Sequence, residues 1–202
     1  MDFSYPVKTR ALARSRGFTL IELMVVVIII GILAGIAMPQ IAERMRERRA
    51  NQAAQQIALL YRNARVRAMG RGFAVLVDYK SDTGEFRVLE TLPAGGLTDC
   101  TPRLPPSCIN TNWTLATDTR VVEKFKPTAD PEILVSVSAP PSAGNAAILD
   151  LCFTPTGRSF SRVLAGSPLS PMTGVIDITV GRAGMLQRHV NVLPNGMARV
   201  SL

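Results

Sequence analysis

The sequence predicts an α+β chain. A long N-terminal helix, apolar enough in its lower half to span a membrane and amphipathic in its upper half, packs on a C-terminal antiparallel β-rich head. Three observations carry this reading. Residues 18–38 hold a single charge, Glu22, in 21 positions, and as a helix they would be roughly 30 Å long, about one hydrocarbon core. Residues 53–68 then repeat apolar side chains at i, i+3 and i+4, the mark of a helix with one buried face. Beyond Gly72 the pattern changes to short β-branched runs separated by glycine, proline, asparagine and aspartate, the grammar of strands and tight turns.

The charge distribution divides the chain further. Residues 1–17 carry Lys8, Arg10, Arg14 and Arg16 against Asp2. Residues 43–71 carry eight arginines against Glu43 and Glu47, and from residue 72 onward 11 basic residues balance 11 acidic ones. The net charge of +8 therefore lies in the leader and in one stretch beside the apolar run. That placement disfavours a basic globular nucleic-acid module and favours a membrane-adjacent role. The expected division is 1–17, a leader; 18–39, a transmembrane helix; 40–70, a basic amphipathic helix; and 71–202, the head.

A basic segment followed by an apolar one also describes a secretory signal peptide. Here the apolar run is long, and the small residue Gly17 precedes it instead of following it. A cut at Gly17 would remove the charges and leave the apolar helix attached.

The stretch "RGFTLIELMVVVIIIGILAGIAMP", residues 16–39, resembles the N-terminal signal of type IV pilins and type II secretion pseudopilins. The resemblance implies that a prepilin peptidase cuts after Gly17 on the cytoplasmic side and that the new terminus, Phe18, is N-methylated. It implies an assembly role for Glu22 and helix-loosening roles for Gly31 and Pro39, between which the helix would unwind on entering a filament. The chemistry agrees for Glu22. It lies four residues beyond Phe18, one helical turn on, and a carboxylate in lipid needs a cation, which a neighbouring subunit's N-terminal amine can supply. The plainer reading is a single-pass anchor with a protonated glutamate. Pro39 removes a backbone donor and crowds the preceding turn, which a membrane helix tolerates as a kink.

In the upper helix, Ala53, Ile57, Leu60, Tyr61, Ala64 and Ala68 form the apolar stripe, with Arg44, Arg48 and Arg62 opposite. Gly70 and Gly72 are the stop signals. The arginines at 44–49 read as anchors to anionic inner-membrane lipids. In the head, "FAVLVDY" and "EFRVLET" flank Ser81-Asp82-Thr83-Gly84 as a hairpin. Residues 91–118 read as a long loop. Further strands are expected over 120–125, 132–138, 146–153, 158–164, 174–180, 187–193 and 197–202. The segment from "LCFTPTGRSF" through "MARV" resembles the closing half of GspH/FimU-like minor pilins and pseudopilins, with Gly196 and Arg199 matching its last element.

Cys100 and Cys108 enclose seven residues of the proline-rich loop. In an exported domain such a pair is expected to be a disulfide, contributing about 2–3 kcal/mol through loop closure. Cys152 alternates with Leu151 and Phe153 and reads as a buried free thiol, although pairing of Cys152 with either of the others stays open. No cysteine or histidine spacing suggests a metal, and no cofactor loop is present. His189, the one histidine, lies mid-strand with no nucleophile motif near it, so no enzyme is expected. Trp113 reads as a loop anchor.

These readings predict a minor pilin of a type IV pilus, acting in tip assembly or initiation and partnered by other pilin-like subunits. It would sit as a single-pass protein in the inner membrane with a periplasmic head, reaching the exterior within the pilus. A GspH-type pseudopilin of a type II secretion system is the alternative. A DNA-binding minor pilin is a further one, and its nucleic-acid partner would require arginines of the neutral head to cluster.

Overall fold

The computed structural model describes residues 17–92, 107–114, 118–127, 132–140, 142–184 and 186–201. The chain divides into two units, Met1–Arg44 and Met45–Leu202. Helix α1, Leu20–Arg71, contributes its first part to one and its second part to the other. It ends where expected. Gly72 takes a φ of +73° and its N–H returns to the Ala68 carbonyl at 3.1 Å, the left-handed stop that a glycine makes without steric cost.

In the larger unit eleven strands follow among the described residues: β1 (Val75–Lys80), β2 (Glu85–Thr91), β3 (Thr119–Phe125), β4 (Leu134–Ala139), β5 (Ser142–Asn145), β6 (Ile148–Phe153), β7 (Ser159–Arg162), β8 (Ser170–Pro171), β9 (Ile176–Gly181), β10 (Arg188–Val192) and β11 (Ala198–Ser201). They form two antiparallel sheets, ordered β3-β2-β1-β6-β7-β8 and β11-β10-β9-β4-β5. The β1–β2 hairpin turns at the predicted residues. Gly84 has a φ of +63° and bonds back to the Lys80 carbonyl at 2.8 Å.

The expectation missed β5 and β8. β5 is built from Ser-Ala-Gly-Asn, residues with turn character, and exists because Asn145 pairs with Ser138 of β4. β8 is two residues ending in Pro171, a length and composition that only a sheet edge accommodates.

One face of the first sheet meets α1 and the second sheet in a single core. Ala53, Ile57, Leu60, Tyr61, Ala64 and Ala68, the predicted stripe, are all buried there with Val75, Val77, Tyr79, Phe86, Leu151, Phe153, Ile178 and Val190. Alanine recurs on this helix face because it keeps the helix backbone close to the strands while retaining high helix propensity. Tyr79 stacks on Phe86 with centroids 4.5 Å apart, and Tyr61 meets Phe86 edge-on at 6.4 Å. Burying each such large side chain stabilises the fold by about 1.5–3 kcal/mol. A second cluster lies on the other face of the first sheet: Ala74, Leu76, Leu89 and Cys152, covered by Cys108, Trp113 and Leu169.

Candidate processing and assembly segment

In the smaller unit, α1 begins one residue after Thr19, whose Oγ1 accepts a hydrogen bond from the Glu22 backbone N–H at 3.3 Å. Thr19 is therefore an N-cap, and Glu22 is the acidic residue three places on, the spacing of a capping box. The Thr-x-x-Glu spacing was present in the sequence and went unused; it gives Glu22 a local role in the first turn, where the helix dipole favours an anion. Among the described residues the Glu22 carboxylate has no cationic partner. Phe18, at the start of this segment, is 82% exposed.

From Leu20 to Met38 the helix is long and apolar enough to cross a membrane, and none of that stretch is buried within the chain. Such a surface demands an apolar cover from outside the molecule. A side chain at Gly17, Gly31 or Gly35 would meet nothing within 4 Å among the described residues, so no contact among them requires glycine at these positions. In this subunit α1 runs through both Gly31 and Pro39; the unwinding expected between them concerns the subunit within a filament. A proline deletes one backbone donor, and the remaining bonds of a long helix hold it together across that gap.

The predicted Cys100–Cys108 bridge is also corrected. Cys108 is bonded to Cys152, 44 residues away, with Cα atoms 5.8 Å apart; Cys100 lies outside the described residues. The strand alternation explains this. Leu151 and Phe153 point into the main core, so Cys152 points to the opposite face, where it pairs across β1 with Leu76 and lies under the loop carrying Cys108. Trp113 anchors the same loop, donating its Nε1–H to the Cys108 carbonyl at 3.1 Å.

The head holds two charge arrangements that sequence reasoning missed. Glu90 is buried on β2 and meets Arg67 at 2.9 Å, Arg71 at 3.4 Å and Arg120 at 2.9 Å. Burial alone would raise its pKa, but the hydrogen bonds and charges of Arg67 and Arg120 outweigh burial and hold the carboxyl below its usual range. The second is a row across four strands, Arg87–Asp78–Asp150–Arg162, set by the register of β2, β1, β6 and β7. Arg87 pairs with Asp78 and Arg162 with Asp150. Asp150 is pushed up to about 6, first by burial and then by Asp78, with Arg162 opposing both. His189, for its part, sits 2.9 Å from Asp177 and 3.3 Å from Thr179, a cross-strand contact between β9 and β10.

Residues 12–38 match the model of the prokaryotic N-terminal methylation motif. The N-terminal segment is thus similar to a methylation-type signal. No curated protein matches the sequence. Among solved structures, the chain is similar to the type IV minor pilin FimU of Pseudomonas aeruginosa in two crystal forms. The first has 15% identity and a TM-score of 0.43 over 75% of this chain and 92% of that one; the second has 16% and 0.44 over 77% and 89%. It is similar also to the minor pseudopilin EpsH of the Vibrio cholerae type 2 secretion system, with 12% identity and a TM-score of 0.42 over 75% and 95%.

Proposed function

We propose that this chain is a minor pilin, a structural subunit that enters a type IV pilus near its tip or in its initiation complex. The observation that carries the reading is the coincidence of the methylation motif at residues 12–38 with an apolar helix, Leu20–Met38, that the chain itself leaves wholly uncovered. A prepilin peptidase would cut between Gly17 and Phe18, detaching the basic leader on the cytoplasmic side. The helix then stays in the inner membrane until neighbouring subunits replace lipid around it, and the head faces the periplasm. Glu22 would pair with a neighbouring subunit's Phe18 amine, a reading supported by its lack of a cation among the described residues. That pairing would set the axial stagger between subunits. Loosening of the helix between Gly31 and Pro39 would belong to the filament.

Intact-mass measurement of protein extracted from membranes tests the proposal. The expected chain begins at Phe18 and carries one added methyl group. A chain that retains Met1, or one cut beyond the apolar run, overturns it.

A further inference from the structure

In the larger unit, the C-terminal hairpin β10–β11 and the helix face at residues 62–66 enclose a groove of about 480 Å³, within the size range of ligand sites. Its floor and rim are aliphatic: Val66, Leu193, Met197 and Ala198. Val66 is 62% exposed and Met197 53%, more than either would be if the groove were filled. Three arginines surround it: Arg62, Arg65 and Arg199.

These cations are not neutralised by the described residues. Arg62 spends its Nε on the Ala198 carbonyl, at 2.7 Å. Arg65 Nε is buried without a hydrogen-bond partner among the described residues. Neither Arg65 nor Arg199 forms an ion pair among the described residues. The turn beside the groove is closely packed. Gly196 has a φ of +76°, and a side chain there would come within 2.8 Å of Phe153 and 3.0 Å of Arg65. The hairpin turn is thereby pressed against the arginine.

We infer that this groove docks a segment of another protein subunit in which carboxylates alternate with aliphatic side chains. The aliphatic residues would fill the space beside Val66 and Met197, and the carboxylates would pair with Arg62, Arg65 and Arg199. Charge complementarity sets the sign of the partner, and the planar guanidinium fork suits a carboxylate in bidentate geometry. A nucleic acid would find the same charge but no aromatic ring on which to stack a base, since the lining residues are aliphatic or basic. The inference rests on the subunit reading above for the nature of the partner, and its test is independent of processing.

The test uses the full chain in detergent micelles with fluorescein-labelled probes followed by anisotropy. The probes are a capped peptide alternating leucine and glutamate, its leucine–lysine and serine–glutamate counterparts, a single-stranded oligonucleotide and a short-chain phosphatidylglycerol. The leucine–glutamate peptide is expected to bind best. Its affinity should fall by about tenfold or more in Arg199→Glu, where attraction becomes repulsion, and by several-fold in Met197→Ser. Both residues are exposed, so urea midpoints should match wild type and separate lost binding from lost folding. Equal affinity for the serine–glutamate peptide, unchanged affinity in both variants, or tighter binding of the oligonucleotide or the lipid through the same residues would each overturn the inference. None of these outcomes bears on the mass of the processed chain. Conversely, an unprocessed chain that still binds the peptide sinks only the pilin reading.

Discussion

Replacing Asp150 by asparagine should change how stability depends on pH, and by an amount the structure sets. Asp150 is 3% exposed and lies directly across from Asp78 in the β1–β6 register. Its carboxyl is pushed up to about 6 from an ordinary 3.8. A carboxyl raised in the folded state binds its proton more tightly there than in the unfolded chain. Its contribution to stability is therefore fully present below about pH 4 and is lost as pH rises through 6. Integrated over that whole window, a shift of this size corresponds to about 3 kcal/mol. Between pH 5 and pH 7 the linkage relation leaves about 1 kcal/mol. Glu90 titrates in the opposite sense, but it is present in wild type and variant alike and cancels in the comparison. The assay is urea unfolding of the full chain in micelles at pH 5 and pH 7, with the disulfide intact, read by Trp113. This indole, the only one in the sequence, lines the same outer cavity of the sheet as Asp78 and Asp150. Wild type should lose about 1 kcal/mol more than Asp150→Asn between the two pH values. Parallel pH dependence in the two proteins would refute the reasoning and mean that Arg162 fully compensates the carboxylate.

Reduction, or Cys152→Ser, should destabilise the head by about 4 kcal/mol on loop-entropy grounds for a 44-residue separation; non-reducing peptide mapping should join Cys108 to Cys152, and a mapped Cys100–Cys108 peptide would contradict the fold described. Glu90→Gln should cost about 2 kcal/mol or more, because a buried carboxylate that meets three arginines is lost while Arg67 stays largely enclosed. Arg71 and Arg120, half exposed, add little through solvent screening. Wild type should lose that stabilisation as pH falls below the ordinary glutamate range, since the folded carboxyl is depressed, so in urea titrations the stability gap between wild type and Glu90→Gln should be smaller at pH 3 than at pH 6, the Asp150 contribution cancelling because both proteins carry it. Glu22→Ala should leave membrane levels and head stability unchanged yet reduce recovery in sheared filaments, since a neighbour's amine would then lack a carboxylate. Glu22→Gln should rescue only in part, and equal recovery of all three would discard the pairing role.

The sequence alone determined whatever depends on neighbours along the chain. The apolar run from Leu20 to Met38, the stripe from Ala53 to Ala68, the stop at Gly72 and the hairpin turn at Gly84 are all set by spacings of one to four residues, and helix and turn geometry act over that range. The same holds for the segment proposed for processing: Gly17, Phe18 and Glu22 lie within six positions, so their arrangement could be read without a fold. Only the tertiary structure decided what lies across a strand or under a loop. Alternation showed that Cys152 faces away from Leu151 and Phe153 but not that Cys108 covers it. The Arg87–Asp78–Asp150–Arg162 row needs three strand registers at once, and a slip of one residue in any of them would send a charge to the opposite face. The arginines around the C-terminal groove come from positions more than 130 residues apart. Their meeting is fixed by the packing of α1 on β10 and β11, because the energy that selects such pairings is burial shared by the whole core and belongs to no local stretch of chain.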